Sequence, residues 1–169
     1  EVVPNQISVG GIQRVLQNLL NERVSIRDLP TILEGISEAC AFTRNVTQLT
    51  EHVRSRLARQ ISEQNATEDN FIPLVTLSAE WEQIFSDSIL DQGEDKQLSM
   101  APSQLQRFIG AVRTTLDELA DKEDPPVVLT SPTARPFVRS IIERFRPATC
   151  IMSQNELHPK AKIKTLGQI

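Results

Sequence analysis

The sequence predicts an α+β fold: a three-helix, or slightly larger, helical subdomain at residues 1-66, followed by a small α/β subdomain with a mixed sheet at residues 67-169. Apolar residues in the first part recur at helical spacing, whereas the second part alternates strand-like runs with helix-periodic runs. A polar stretch at residues 63–70 has no periodicity. We therefore expect two folding units joined at this stretch.

Three amphipathic helices account for the helical subdomain, because each carries one apolar stripe that its neighbours can bury. The first follows a Ser8 cap, and the third follows an Asn45 cap with Gln48 three residues on. The three stripes are Ile12, Val15, Leu16, Leu19 and Leu20; Leu29, Ile32, Leu33, Ile36 and Cys40; and Val46, Leu49, Val53, Leu57 and Ile61.

The α/β subdomain opens with a predicted strand at residues 71–77. Pro73 has no N–H to donate to a neighbouring strand. Either this strand therefore lies at the edge of the sheet, or Pro73 lies near the start of the strand. A short helix capped by Ser78 comes next, then an acidic loop at residues 91–95, then a long helix that opens at Pro102.

The end of the chain predicts a strand–helix–strand unit and one further strand. The two strands of the unit, at residues 127–129 and 149–152, are expected to be parallel because a helix joins them by a right-handed crossover. Residues 161–169 predict the last strand, although Ile163 and Leu166 do not alternate cleanly with polar residues.

The connector between the first two helices contains Ser25, Arg27, Asp28 and Pro30. Ser25 and Asp28 match a capping box, but a helix starting there would put Pro30 near its fifth position, where proline costs a hydrogen bond. A cap at Asp28 places Pro30 in the first turn, where the amide groups have no helical partner. We predict that this connector fixes the angle between the helices.

Composition excludes several classes of protein. The net charge is -4 and the pI about 5.3, so no overall attraction to nucleic acid or anionic lipid is expected. Cys40 and Cys150 lie in apolar runs, which predicts free thiols in a reducing compartment. The chain lacks an initiator Met, a signal-peptide pattern and a run long enough to span a bilayer, and we expect it to be part of a longer protein.

No constellation of catalytic or metal-binding residues can be assembled from the sequence. His52 and His158 lie at no metal-ligand spacing, and Cys150 is expected to be a core residue rather than a nucleophile. Ser131 lies on a strand-to-helix turn but lacks the surrounding glycines of a nucleophile elbow. We therefore expect it to cap the following helix or to form the turn. We predict no enzyme activity, no metal and no cofactor.

A polar strip is predicted beside the apolar stripe of the third helix. His52, Arg56, Arg59 and Glu63 fall at i, i+4, i+7 and i+11. A solvated face is the commoner explanation for such a strip, and a subunit interface is the functional alternative. No aromatic residues alternate with these charges, so the strip lacks a stacking platform for single-stranded nucleic acid.

Several runs together carry a family resemblance that covers nearly the whole chain in order. They are VLQNLLNERVSIRDLPTILE, LTEHVRSRLARQI, VVLTSPTARPFVRSIIERF, SQNEL and LGQI. Together they resemble the C-terminal cytoplasmic part of the flagellar type III export gate proteins, the FHIPEP family.

The resemblance implies an inner-membrane protein whose cytoplasmic domain forms a ring, commonly ninefold, and receives export chaperones with their cargo and other export-apparatus proteins. Residues 1-66 would correspond to the third cytoplasmic subdomain, implicated in ring contacts, and residues 67-169 to the fourth, which flanks the docking cleft. The fragment would lie at the cytoplasmic face of the bacterial inner membrane and reach the membrane only through the missing N-terminal part. We expect a non-enzymatic docking and ring-forming module with no nucleic-acid partner.

Three alternatives remain at this stage. The first alternative is the homologous export gate of a virulence injectisome, although the ending LGQI and the run ARQI at residues 58–61 resemble flagellar sequences more. The second is a small hydrolase-type enzyme using Cys150 or Ser131 at the end of a strand. The third is a helical nucleic-acid-binding module centred on Arg56 and Arg59.

Overall fold

The computed structural model describes residues 7–93, 95–120 and 124–169. Its elements confirm an α+β fold in which a helical part precedes an α/β part. The helical part contains α1 (Val9–Asn21), α2 (Leu29–Ala39), α3 (Val46–Arg56) and α4 (Ala58–Asn65). The α/β part contains β1 (Phe71–Thr76), α5 (Ala79–Ser88), β2 (Ile89–Gln92), β3 (Asp95–Leu98), α6 (Pro102–Glu118), β4 (Val127–Thr130), α7 (Arg135–Ile142), β5 (Ile151–Ser153) and β6 (Lys162–Gln168).

The predicted caps of the first three helices are confirmed. Ser8, Asp28 and Asn45 each accept a hydrogen bond from the backbone N–H three residues on, at 3.1, 3.3 and 3.1 Å. The choice of Asp28 over Ser25 as the cap of α2 therefore holds. These side chains satisfy amide donors that the first helical turn leaves without a backbone partner.

The predicted third helix is wrong in one respect, because it is two helices that meet at Leu57. Leu57 has φ of -97° and ψ of 19°, and its N–H lies near the carbonyl oxygens of both Val53 and Arg54. The second helix, α4, is anchored by hydrogen bonds to a distant part of the chain. Ser62 on α4 donates its hydroxyl to the Glu156 carbonyl at 2.8 Å.

The main sheet has four strands in the order β5-β4-β1-β6, and all of its pairs are parallel. The predicted parallel β4–α7–β5 unit is confirmed. Because β1 pairs on both sides, the edge alternative for its position is wrong and the placement of Pro73 near the strand's start is right. Pairing with β4 begins only at Leu74, so the missing N–H of Pro73 costs no bond to that strand.

The acidic loop predicted at residues 91–95 is also wrong. Strands β2 and β3 form an antiparallel hairpin in which Ile89 pairs with Leu98 and Gln92 with Asp95. Gly93 has a φ of 73° at the turn, a conformation that glycine adopts at little steric cost. Glu94, which belonged to the predicted loop, lies outside the described residues.

The four-stranded sheet separates two apolar cores. On one face, residues of α1–α4 pack with Ile72 and Leu74 of β1 and with Met152 of β5. On the other face, residues of α5, α6 and α7 pack with Val75 and Val128. The first core therefore contains side chains from both predicted subdomains. The division at residues 66 and 67 stays a prediction.

The stretch predicted as a linker is shorter than expected, because α4 continues to Asn65. A turn at residues 66–70 then leads into β1. Within it, Thr67 donates its N–H to the Phe71 carbonyl at 2.8 Å. Asn70 has a φ of 64°, which asparagine tolerates better than most residues.

Candidate functional site: interaction surfaces

The Cys150 thiol, one of the two candidate nucleophiles, is poorly placed for catalysis. Burial raises its pKa to about 11, so the reactive thiolate is scarce at neutral pH. The residue lies just before β5 rather than within the strand. Both cysteines are free thiols, as predicted. Cys150 therefore behaves as a packed thiol.

The other candidates for chemistry serve turns and caps. Ser131 accepts a hydrogen bond from the Ala134 N–H at 3.2 Å, which forms the turn into α7. His158 accepts one from the Lys160 N–H through Nδ1, also at 3.2 Å. Within residues 7–93, 95–120 and 124–169, no group of three or more His, Cys, Asp or Glu could hold a metal ion.

The predicted polar strip does not lie along one helix. His52 and Arg56 lie on α3, whereas Arg59 and Glu63 lie on α4, because the helix is broken at Leu57. Arg59 and Glu63 form an exposed i,i+4 pair at 3.2 Å. Such a pair contributes little to stability, and both side chains stay accessible to a partner.

The α3 half of the strip is engaged by α2. His52 Nε2 lies 3.0 Å from Glu38 Oε2, and Arg56 reaches Glu34 Oε2 at 3.2 Å and also pairs with Glu38. The hydrogen bond with His52 lowers the pKa of Glu38, and the charge of Arg56 adds to this effect. These contacts tie α2 to α3 along an accessible surface.

The connector between α1 and α2 is held by α4 as well as by its own cap. Gln60 Nε2 donates to the Ser25 carbonyl at 3.0 Å, and Gln64 Nε2 donates to the Arg23 carbonyl at 2.7 Å. Ser25 Oγ accepts from the Arg27 N–H at 3.3 Å. The connector is therefore bound on two sides, which supports the prediction that it sets the angle between the helices.

Sequence reasoning missed a cluster of buried charges between the helices and the sheet. Its centre is Arg135 of α7, which donates to both oxygens of Glu22 and both oxygens of Glu51 at 2.7–2.8 Å. Beside it, Arg54 binds Glu156 through two hydrogen bonds of 2.6 and 3.1 Å. Both arginines are 1% exposed.

Charge pairing keeps these groups ionised despite their burial. Burial opposes the charge of Arg135, but the charge of Glu51 and the hydrogen bonds to Glu22 and Glu51 raise its pKa well above the ordinary value. Burial similarly opposes ionisation of Glu22, yet hydrogen bonding and attraction by Arg135 lower its pKa overall. Breaking one partner of such a cluster leaves an uncompensated buried charge.

A signal for this cluster was present in the helical periodicity. On α3, the buried positions are Leu49, Thr50, Val53 and Arg54, so Arg54 follows the apolar stripe rather than the polar one. A charged residue at a core position of a helix requires a buried partner. Nothing in the sequence indicated that the partner would be Glu156, which lies far along the chain.

Comparison with known proteins decides the family. The model of the FHIPEP family matches residues 1–162. The chain belongs to the FHIPEP family. A relative from Caulobacter vibrioides, the flagellar biosynthesis protein FlhA, is 53% identical over all 169 residues.

Two solved structures share the fold of this chain. A chain in the structure of the Chlamydia pneumoniae CdsV and CdsO protein complex superposes with a TM-score of 0.87 at 30% identity, over 98% of this chain and 48% of that one. The nonameric EscV cytosolic domain from a type III secretion system gives 0.77 at 27% identity, over 98% and 48%.

The present chain spans only part of its FHIPEP relatives, covering 24% of the length of the Caulobacter protein. Among the described residues, no helix combines the length and apolar character needed to cross a membrane.

Proposed function

We propose that this chain is a non-enzymatic docking and ring-forming module of the flagellar type III export gate. Its 53% identity to a flagellar FlhA over the full chain carries the flagellar assignment. We further propose that the module belongs to the cytoplasmic face of the inner membrane and helps to receive chaperone–substrate complexes there.

Self-assembly is supported by the likeness to a nonameric EscV cytosolic domain. We propose that copies of this chain contact one another through the helical part, and that Arg59, Glu63, His52 and Arg56 contribute to that contact. Arg59 is the best candidate, because its side chain is 79% exposed and its one described ion pair is within α4. Binding of other export-apparatus proteins is supported by the likeness to CdsV in complex with CdsO.

Assembly of the complete cytoplasmic domain tests the ring contact. Arg56→Glu with Arg59→Glu should weaken assembly in sedimentation while circular dichroism still shows a folded domain. Some loss of melting temperature is expected from the Arg56 change alone, because it places a third carboxylate beside Glu34 and Glu38. Arg107→Glu with Arg113→Glu on α6 is the control with the same change in charge.

Assembly that is equal for the two double variants at low and high salt would remove this strip from the interface. A loss of flagellar motility in the strip variant alone would link the contact to export. Salt-sensitive DNA binding that vanishes in the strip variant would instead favour a nucleic-acid-binding module.

A further inference from the structure

The lysines of this acidic chain concentrate at its end. Three of its five lysines are Lys160, Lys162 and Lys164, and residues 157–169 contain no Asp or Glu. The chain therefore has a local positive surface although its net charge is -4.

This positive surface lies on an open edge of the parallel sheet. Strand β6 is last in the strand order and pairs only with β1 among the described strands. Its first four residues are all exposed, with Ile163 at 51%. The opposite edge strand, β5, is three residues long and buried. An uncovered edge strand presents N–H and C=O groups to which another strand can bind.

The two faces of this edge differ in chemistry. In the register of the sheet, Ile163 lies beside Ile72 and Lys162 lies beside Phe71, so apolar and basic side chains project to opposite faces. Lys164 Nζ lies 5.4 Å from the centre of the Phe71 ring, which agrees with this assignment. A strand added here would place alternate residues on a basic and an apolar face.

The positive charges of this edge are available. No carboxylate within residues 7–93, 95–120 and 124–169 forms an ion pair with Lys160, Lys162 or Lys164. Beside the strand runs a groove of about 560 Å³. Its lining joins the apolar Ala66, Ile72 and Ala161 to polar side chains that include the Arg59–Glu63 pair. Among the described residues, the edge thus combines lysines without ion pairs, an unpaired strand backbone and a groove with apolar lining.

We propose that β6 binds an extended acidic segment of a partner protein, which joins the sheet as a fifth strand. Acidic residues of that segment would pair with Lys162 and Lys164, and the alternate residues, apolar, would contact Ile163 and the groove. A second copy of β6 suits the edge less well, because its lysines would face these lysines. This inference is independent of ring formation.

The test uses a labelled peptide of sequence EVEVEVE and fluorescence anisotropy with the purified chain. Wild type should bind this peptide, and Lys162→Glu with Lys164→Glu should weaken binding at least tenfold. Arg14→Glu with Arg27→Glu, at exposed positions of the helical part, changes net charge equally and should leave binding within twofold. Amide exchange at residues 162–168 should slow in the complex.

The geometry of strand addition is tested separately with the peptide EVEPEVE, whose proline removes a backbone donor, and this peptide should bind at least tenfold more weakly. Circular dichroism must show that each variant is folded, and Lys162→Gln with Lys164→Gln supplies a milder variant. Equal binding of both peptides, or binding unchanged in both lysine variants, would overturn the proposal. Binding only to vesicles of anionic phospholipid, or lysine-dependent self-association without peptide binding, would also overturn it.

Discussion

At the scale of single residues, the candidate nucleophiles have structural environments rather than catalytic ones. Cys150 and Ser131 are the two candidates for covalent chemistry. Cys150 is a half-buried thiol with a raised pKa, and Ser131 is a turn hydroxyl. Asp28, by contrast, has its predicted role, accepting from both the N–H and the hydroxyl of Thr31. The sequence predicted a side-chain contact correctly where the two partners lie within a few residues of each other.

Reactivity of Cys150 is the first prediction at this scale. In a Cys40→Ser variant, iodoacetamide should alkylate the folded protein at least tenfold more slowly than the denatured chain at pH 8, because the pKa of Cys150 is about 11. Mass spectrometry over time measures both rates. Equal rates would show an accessible thiolate and reopen the enzyme hypothesis.

The cap of α2 supplies the second prediction. Asp28→Ala should lower the free energy of unfolding by about 0.5 to 2 kcal/mol, and Ser25→Ala should cost less, because only Asp28 bonds the first helical turn. Urea denaturation of the two variants compares them directly. A larger loss for Ser25→Ala would contradict the assignment of the cap.

At the scale of elements, the structure differs from the sequence prediction in two places. The stripe from Val46 to Ile61 continues across Leu57 without a proline or glycine, so it predicted one helix where α3 and α4 are two. The hairpin β2–β3 was likewise hidden, because its exposed strands lack the apolar alternation of a half-buried sheet. Both errors arise where local pattern carries little information.

The buried charges join elements that are distant in sequence, and they carry the third prediction. Arg135→Met on α7 should cost about 3 to 5 kcal/mol of unfolding free energy, because Glu22 and Glu51 would lose their shared buried partner. The exposed Arg59→Met should cost less than about 0.5 kcal/mol. Similar costs in urea denaturation would show that the cluster contributes no more than a surface pair.

The whole molecule is a parallel sheet covered on both faces. The helical part supplies one cover and α5, α6 and α7 supply the other. The buried charge cluster lies between the first cover and the α/β part, linking α1 and α3 to α7 and the turn after β5. Unfolding of either part would expose the shared core.

Limited proteolysis is the fourth prediction and tests the two-subdomain division. We expect the first cut within residues 66–70, where the exposed Glu68 and Asp69 lie between two elements. The two products should coelute under native conditions, because they share an apolar core. Products that separate and stay folded would instead support two independent units, and the absence of an early cut would show a protected turn.

Acid stability is the fifth prediction. The pKa of Glu22 is lowered in the fold, so its contribution is present above the ordinary value of 4.5 and is lost as pH falls through the folded pKa. The free energy of unfolding should therefore decline below about pH 4.5. Glu22→Gln should lower stability at pH 7 and flatten this acid limb in urea titrations. An unchanged slope would place the acid sensitivity elsewhere.

By itself the sequence determined the α+β class, the caps at Ser8, Asp28 and Asn45, the parallel β4–α7–β5 unit and the family resemblance. Helical and strand periods, capping chemistry and crossover handedness act over short stretches of chain, which is why a single sequence displays them. The expectation of no catalytic site likewise came from residue types and their spacing alone.

Only the tertiary structure decided the break at Leu57, the interior position of β1, the charge cluster around Arg135 and the open edge at β6. Glu22 and Arg135 are separated by 113 residues, and no local pattern indicates that their side chains meet. A buried charge is stable only beside an oppositely charged partner. Which partner lies near it depends on how the sheet and the helices pack.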